Sequence, residues 1–373
     1  MRIAPSSAPK PRASSSPSPC SSVFTSTVRF GAIRGISCRR EDADVFFTFS
    51  SFLDPGAVYH LDLSAFTEPD AADAAAMPAP RLVRRSTVSG LDVDAFVTKQ
   101  VFVPSADGTR VPMFIIHARD FVADGSAPCL CYAYGGFNIS LTPSFSTSKM
   151  CAVRSYGACY AVANLRGGGE YGETWHKAGA LANKQNVFDD FTACARYLVQ
   201  HGYTSAPRLT IEGGSNGGLL VAAVANQSPS LFGAAIAHVG VHDMLRFHRF
   251  SIGRAWCTEY GNAEESAEDF AVLRAYSPLH NVRLPPPAGG QHPAMLLLTG
   301  THDDRVSPLH SLKLAATLQA AAAAAGGAQT APIVARIDVK SGHGAGKPTQ
   351  KVIDEVADVY AFMAKAVGAT WRD

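Results

Sequence analysis

Leu209-Thr210-Ile211-Glu212-Gly213-Gly214-Ser215-Asn216-Gly217-Gly218-Leu219-Leu220 is the stretch on which the reading of this chain turns. Leu209–Glu212 reads as a strand and Leu219–Ala225 as a helix, so a serine sits at the bend within Gly213-x-Ser215-x-Gly217. Glycines let neighbouring backbone pass close to such a bend, and a serine turned that sharply presents its hydroxyl as a nucleophile. In a chain with 32 glycines the bare pattern also arises as a plain Gly-rich turn. The strand before it and the helix after it favour the nucleophile.

Outward from the bend, apolar runs recur at Cys129–Tyr134, Cys159–Leu165, Leu209–Gly213, Ala234–Val239, Met295–Thr299 and Ile333–Val339. They lack polar alternation, as strands do when both faces of a parallel sheet are covered. Helix-like segments lie between them: Val187, Phe188, Phe191, Cys194 and Leu198 recur at helical spacing, and 217–226, 309–325 and 349–366 supply three more. This alternation predicts a doubly wound, mostly parallel α/β sheet. Upstream, Phe96–Pro104 and Arg110–His117 predict a hairpin around Asp107-Gly108. Asp44–Ser50 and Ala57–Leu63 predict another around Asp54-Pro55-Gly56, followed by an Ala/Pro-rich linker at 68–80.

The chain has 373 residues, 47% of them hydrophobic, enough for one large core and a second small unit. Its 33 basic and 31 acidic residues nearly cancel, so no long-range field gathers nucleic acid or an anionic membrane, and neither partner is expected. No apolar run reaches the roughly 18 residues of a spanning helix. The eight cysteines show no CxxC pairing, which predicts reduced thiols, a cytoplasmic setting and no metal. Residues 1–40 hold no Asp or Glu, several Arg and Ser/Pro clusters. They read as a disordered tail or as a transit peptide, which would place the protein in an organelle instead.

A serine hydroxyl needs a base to take its proton, and the base needs an acid to fix its tautomer. Downstream of Ser215 the chain offers Asp303 and Asp304 after one predicted strand and His343 after the next, where such sheets carry their sites. The pattern leaves open which aspartate serves. His343 lies in the small-residue loop Ser341-Gly342-His343-Gly344-Ala345-Gly346 rather than on an apolar helix face, which favours chemistry over packing.

Tyr134-Gly135-Gly136-Phe137-Asn138-Ile139-Ser140, Arg166-Gly167-Gly168-Gly169-Glu170-Tyr171-Gly172, Gly213–Gly218, Asp303-Asp304-Arg305-Val306 and Gly342–Gly346 together resemble the prolyl oligopeptidase family of serine peptidases. The likeness covers nearly everything after about residue 42. It implies an α/β-hydrolase fold without cofactor and a charge relay of Ser215, Asp303 and His343. It also implies an oxyanion hole made by the Tyr134 hydroxyl and the Asn216 backbone N–H. By the same resemblance Trp256 stacks on a substrate proline, Phe137, Val241, Tyr260 and Val306 line its pocket, and Arg305 binds a substrate carbonyl. The implied activity is hydrolysis of short peptides on the carboxyl side of proline through an acyl-enzyme.

Two other readings compete. Gly167-Gly168-Gly169-Glu170-Tyr171-Gly172 satisfies GxGxxG, yet 173–179 shows no apolar helical stripe to receive a dinucleotide. The second is a weakly active or non-catalytic hydrolase-fold binding protein, since the family's β-propeller is represented here only by residues resembling its last part. The expected organisation is a tail at 1–41, a propeller-remnant hairpin and linker at 42–90, and an α/β-hydrolase domain at 91–373. Surface left bare by the absent propeller would favour self-association.

Overall fold

The computed structural model describes residues 30–64, 78–344 and 346–372. Its main body is an eight-stranded sheet made of β5 (Phe96–Pro104), β6 (Arg110–Ala118), β7 (Cys129–Ala133), β8 (Cys159–Ala163), β9 (Leu209–Gly214), β10 (Ala234–His238), β11 (Ala294–Gly300) and β12 (Ile333–Asp338). The spatial order is β12-β11-β10-β9-β7-β8-β6-β5. The five pairs linking β8 through β7, β9, β10 and β11 to β12 are parallel; β6 runs antiparallel to both β8 and β5.

Alternation along single strands shows why the runs are apolar. In β11, Met295 and Leu297 belong to one hydrophobic cluster, while Ala294, Leu296 and Leu298 belong to another on the opposite face. The first cluster is closed by α3 (Gln185–Gln200), α4 (Asn216–Gln227) and α7 (Leu309–Ala324) through Val187, Phe188, Leu219, Leu220, Leu314 and Leu318. The second is closed by α1 (Thr147–Ser155) and α8 (Thr349–Val367) through Ala152, Val359, Tyr360 and Met363. The remaining helices, α2 (Glu173–Lys177), α5 (Cys257–Tyr260) and α6 (Ala267–Tyr276), sit in the connections. β12 departs from the expected pattern of two covered faces. As an edge strand paired only with β11 it leaves Val334 and Ile337 exposed.

The N-terminal unit also differs from the predicted hairpin. Four strands, β1 (Gly31–Ser37), β2 (Asp44–Ser51), β3 (Ala57–Asp62) and β4 (Arg81–Arg85), form an antiparallel sheet in chain order. Gly31–Ser37 therefore lies in a strand although it falls in the expected tail. With only Ile33 and Ile36 among small and charged residues, β1 carries no alternation to read, and its ladder takes a bulge between Ile33 and Gly35. Phe30 and Phe52 dock the small sheet onto Phe114 of β6, with ring centroids 5.6 and 5.3 Å apart. Arg34 donates to the carbonyl of Pro143 at 2.9 Å. Residues 1–29 and most of the 68–80 linker lie outside the described residues. Among the described residues no helix is long and apolar enough to cross a membrane.

Candidate active site

The chain reverses direction across the sheet at β7, since β8 pairs on one side of it and β9 on the other. Tyr134 follows β7 and Ser215 follows β9, on either side of this switch point, where open α/β sheets form their crevice. Val241, Asp303 and His343 follow β10, β11 and β12 at the same edge. Parallel strands thus carry residues far apart in sequence to one edge of the sheet.

Ser215 adopts φ +58° and ψ −116° as N-cap of α4, a conformation an L-residue avoids unless its surroundings enforce it. Its N–H donates to the His238 carbonyl at 2.8 Å, and its carbonyl accepts from Gly218 N–H at 2.9 Å. The glycines are required by backbone rather than by hydroxyl access: a Cβ on Gly213 would lie 2.4 Å from the Gly217 oxygen, and one on Gly217 would lie 2.7 Å from the Ala133 oxygen.

Asp303 is buried, and its two oxygens have separate tasks. Oδ2 accepts from His343 Nδ1 at 2.8 Å, while Oδ1 accepts the N–H groups of Arg305 and Val306 at 3.0 and 2.9 Å. Asp304 is exposed. Holding Nδ1 leaves His343 Nε2 free as the second ring nitrogen. Ser215 and His343 line one cavity of about 300 Å³ together with Tyr132, His238 and Lys347. The Tyr134 hydroxyl lies near enough to Ser215 to be influenced by it. Burial raises the Tyr134 phenol above the ordinary tyrosine range, against the opposing pull of Ser215 and Arg305, so it remains a protonated donor at neutral pH. The Asn216 N–H lies in the first turn of α4, whose dipole adds partial positive charge there.

The aromatic residues also meet. Phe137 packs edge-on against Tyr260, Tyr260 against Phe247, and Phe247 is parallel to Trp256 at 6.4 Å. Phe137 and Trp256 are partly exposed, whereas Val241, Tyr260 and Val306 are buried in the main core. None of these five lines the cavity beside Ser215 and His343. Arg305 is exposed and lies close enough to Tyr134 to influence its phenol.

The competing glycine-rich run has a structural explanation. Arg166 pairs with buried Asp190 at 2.6 Å and with Asp107 at 2.5 Å, while Glu170 Oε1 accepts Leu141 N–H at 2.9 Å. The helix that follows, α2, has five residues, too few for the amphipathic helix of a dinucleotide fold. Among the described residues no group of His, Cys, Asp and Glu is arranged to hold a metal ion. Sequence reasoning missed Lys184 and Glu259, which lie buried behind Asn216. A lysine opening a helix and a glutamate in a short turn read as surface, and no local signal contradicts that.

The sheet order, the serine at the β9–α4 bend and the Asp303–His343 contact define an α/β-hydrolase. Comparison with known proteins makes the assignment narrower: the profile described as the prolyl oligopeptidase family matches residues 143–370, and the chain belongs to that family. It is 46% identical over 337 residues to prolyl oligopeptidase ophP of Omphalotus olearius, covering 90% of this chain and 43% of that protein. It is 41% identical over 330 residues to a prolyl endopeptidase of Dictyostelium discoideum, covering 87% and 40%. Prolyl oligopeptidase B of Galerina marginata, solved with a 35mer hydrolysis and macrocyclization substrate, superposes with a TM-score of 0.81 at 40% identity, covering 92% of this chain and 46% of that one. The chain thus spans less than half the length of the curated relatives it matches.

Proposed function

We propose that this chain hydrolyses short peptides on the carboxyl side of proline through an acyl-enzyme. The observation that carries the reading is the 2.8 Å bond from His343 Nδ1 to buried Asp303, with Ser215 on its bend lining the same cavity. In this reading the Ser215 hydroxyl attacks the proline residue's own carbonyl carbon while His343 Nε2 takes its proton. The carbonyl oxygen becomes an oxyanion that accepts from the Tyr134 hydroxyl and the Asn216 N–H. His343 then gives its proton to the leaving amine, and water repeats the sequence on the acyl-enzyme. Phe137 and Trp256 supply apolar faces suited to a rigid pyrrolidine, with Tyr260, Val241 and Val306 buried beneath them. Arg305 is assigned to an upstream substrate carbonyl. The relatives' names support the post-proline preference.

The test is hydrolysis of a proline peptide together with labelling by a serine-directed fluorophosphonate. Wild type should do both, Ser215→Ala neither, and Ser215→Ala/His343→Ala should be little worse than either single variant. Losses that multiply, or hydrolysis by Ser215→Ala, would remove the assignment. Self-association belongs to the same reading. Ile33 and Ile36, 58% and 66% exposed, offer apolar surface on the small sheet, and sedimentation that finds only monomer would exclude it. The buried thiols Cys129, Cys131, Cys159 and Cys194 fit a reducing compartment such as the cytoplasm.

A further inference from the structure

Behind the two proposed oxyanion donors lies a buried polar network that their chemistry does not itself require. The Lys184 ammonium, 1% exposed, donates to the Gly135 carbonyl at 2.9 Å and to Asn216 Oδ1 at 3.0 Å. Asn216 Oδ1 also accepts from the Tyr260 hydroxyl at 2.9 Å, and Asn216 Nδ2 donates to the Tyr134 carbonyl at 2.5 Å. Lys184 thus clamps the peptide unit after Gly135 to the side chain of the residue after Ser215. Its counter-charge is Glu259, 3.8 Å away and also buried. Glu259 Oε1 accepts Phe137 N–H at 2.8 Å, and Oε2 meets His176 Nε2 at 2.8 Å. Gly135, Phe137 and Asn138 all hold positive φ, near +61°, +56° and +56°, so this loop is strained and needs such anchors.

Resting on the reading of Ser215, Tyr134 and Asn216 given above, we propose that Lys184 and Glu259 are positioning residues that lock the oxyanion loop to the nucleophile bend and to the aromatic wall. Glu259 lies on α5, which begins directly after Trp256, so in that reading the pair joins the element that faces proline to the loop that faces the oxyanion. Burying two charges costs more than burying apolar residues of the same size, so the pair contributes position more than stability. Burial pushes the Lys184 ammonium down to about 8, with Glu259 opposing, which leaves it mainly charged at neutral pH with three N–H donors. A displacement of either oxyanion donor by about 1 Å is enough to cost on the order of 100-fold in rate without changing how substrate is held.

The experiment measures kcat, KM and the thermal midpoint of the full chain on a proline peptide anilide. The forms compared are wild type, Ser215→Ala, Lys184→Met/Glu259→Gln, Asn216→Ala, and the last two combined. The charge-neutral double variant leaves no lone buried ion, and its expected result is a folded protein with kcat about 10- to 100-fold lower and KM within about threefold of wild type. Adding Asn216→Ala should lower kcat little further, because both act through one contact. If the double variant does not fold, Lys184→Met alone is read by the same criterion, since Glu259 then keeps His176 as its partner. Unchanged kcat, or a rise in KM with kcat kept, overturns the proposal while leaving the nucleophile reading intact. A wild type that neither turns over the peptide nor takes the fluorophosphonate, like Ser215→Ala, overturns that reading and the inference with it.

Discussion

Asp303 shows how much one side chain can decide. Because Oδ1 caps the turn while Oδ2 holds His343, the two tasks separate under mutation. Asp303→Asn keeps an oxygen for the turn and should fold, yet lose about 10⁴-fold in kcat because the imidazole tautomer is no longer fixed. Asp303→Ala should in addition lower stability by roughly 1–3 kcal/mol, since two backbone N–H groups lose their acceptor. Urea unfolding of the two variants beside their turnover separates these effects; equal stability would deny Oδ1 its structural task. Trp256 carries a second prediction at this scale. Trp256→Ala should cost about 1–3 kcal/mol of transition-state binding for proline substrates and less for a simple ester. An unchanged proline-over-alanine ratio would exclude Trp256 from the specificity pocket.

The β9–α4 bend makes its prediction through backbone clearance. Gly213→Ala places a Cβ 2.4 Å from a backbone oxygen and should destabilise by about 3 kcal/mol, whereas Gly214→Ala meets nothing closer than 3.8 Å and should stay within about 1 kcal/mol of wild type. Equal unfolding midpoints would show that the bend relaxes freely. This element was legible because strand, bend and helix follow one another within twelve residues, each with its own local signal. Apolar strands such as β10 and β11 were legible for a similar reason, since two covered faces leave each of them a single polar position, His238 and Thr299. β1 and β4 were not: Gly31–Ser37 has too few apolar residues and Arg81–Arg85 is mostly charged, so their pairing comes from partner strands. Of the two candidate aspartates, only the folded chain shows that Asp303 is the one within reach of His343. Lys184 and Glu259 stayed invisible because burial of a charge is a property of tertiary packing alone.

Three buried histidines tie the stability of the folded chain to pH. Burial pushes His242 down to about 3, with His310 adding to the effect, and pushes His292 and His310 each down to about 4. Their unfolded values lie near 6.5, so below that pH the unfolded chain binds protons that the folded one refuses. Stability therefore falls as pH drops, at about 1.4 kcal/mol per pH unit for each histidine, or roughly 4 for the three together between about pH 6 and 4. Urea midpoints across that range check the slope, and a flat profile would mean that the folded protein accepts these protons. The order of the strands carries a different consequence, for the newly made protein. Among the described strands β12 is both the last in sequence and the outermost of the large sheet, and the loop after it brings the histidine that meets Asp303. On the ribosome every other strand of that sheet emerges first, so Ser215 and Asp303 both precede the loop that carries His343. Strand order thereby makes the Asp303–His343 contact the last part of the candidate site that synthesis can assemble.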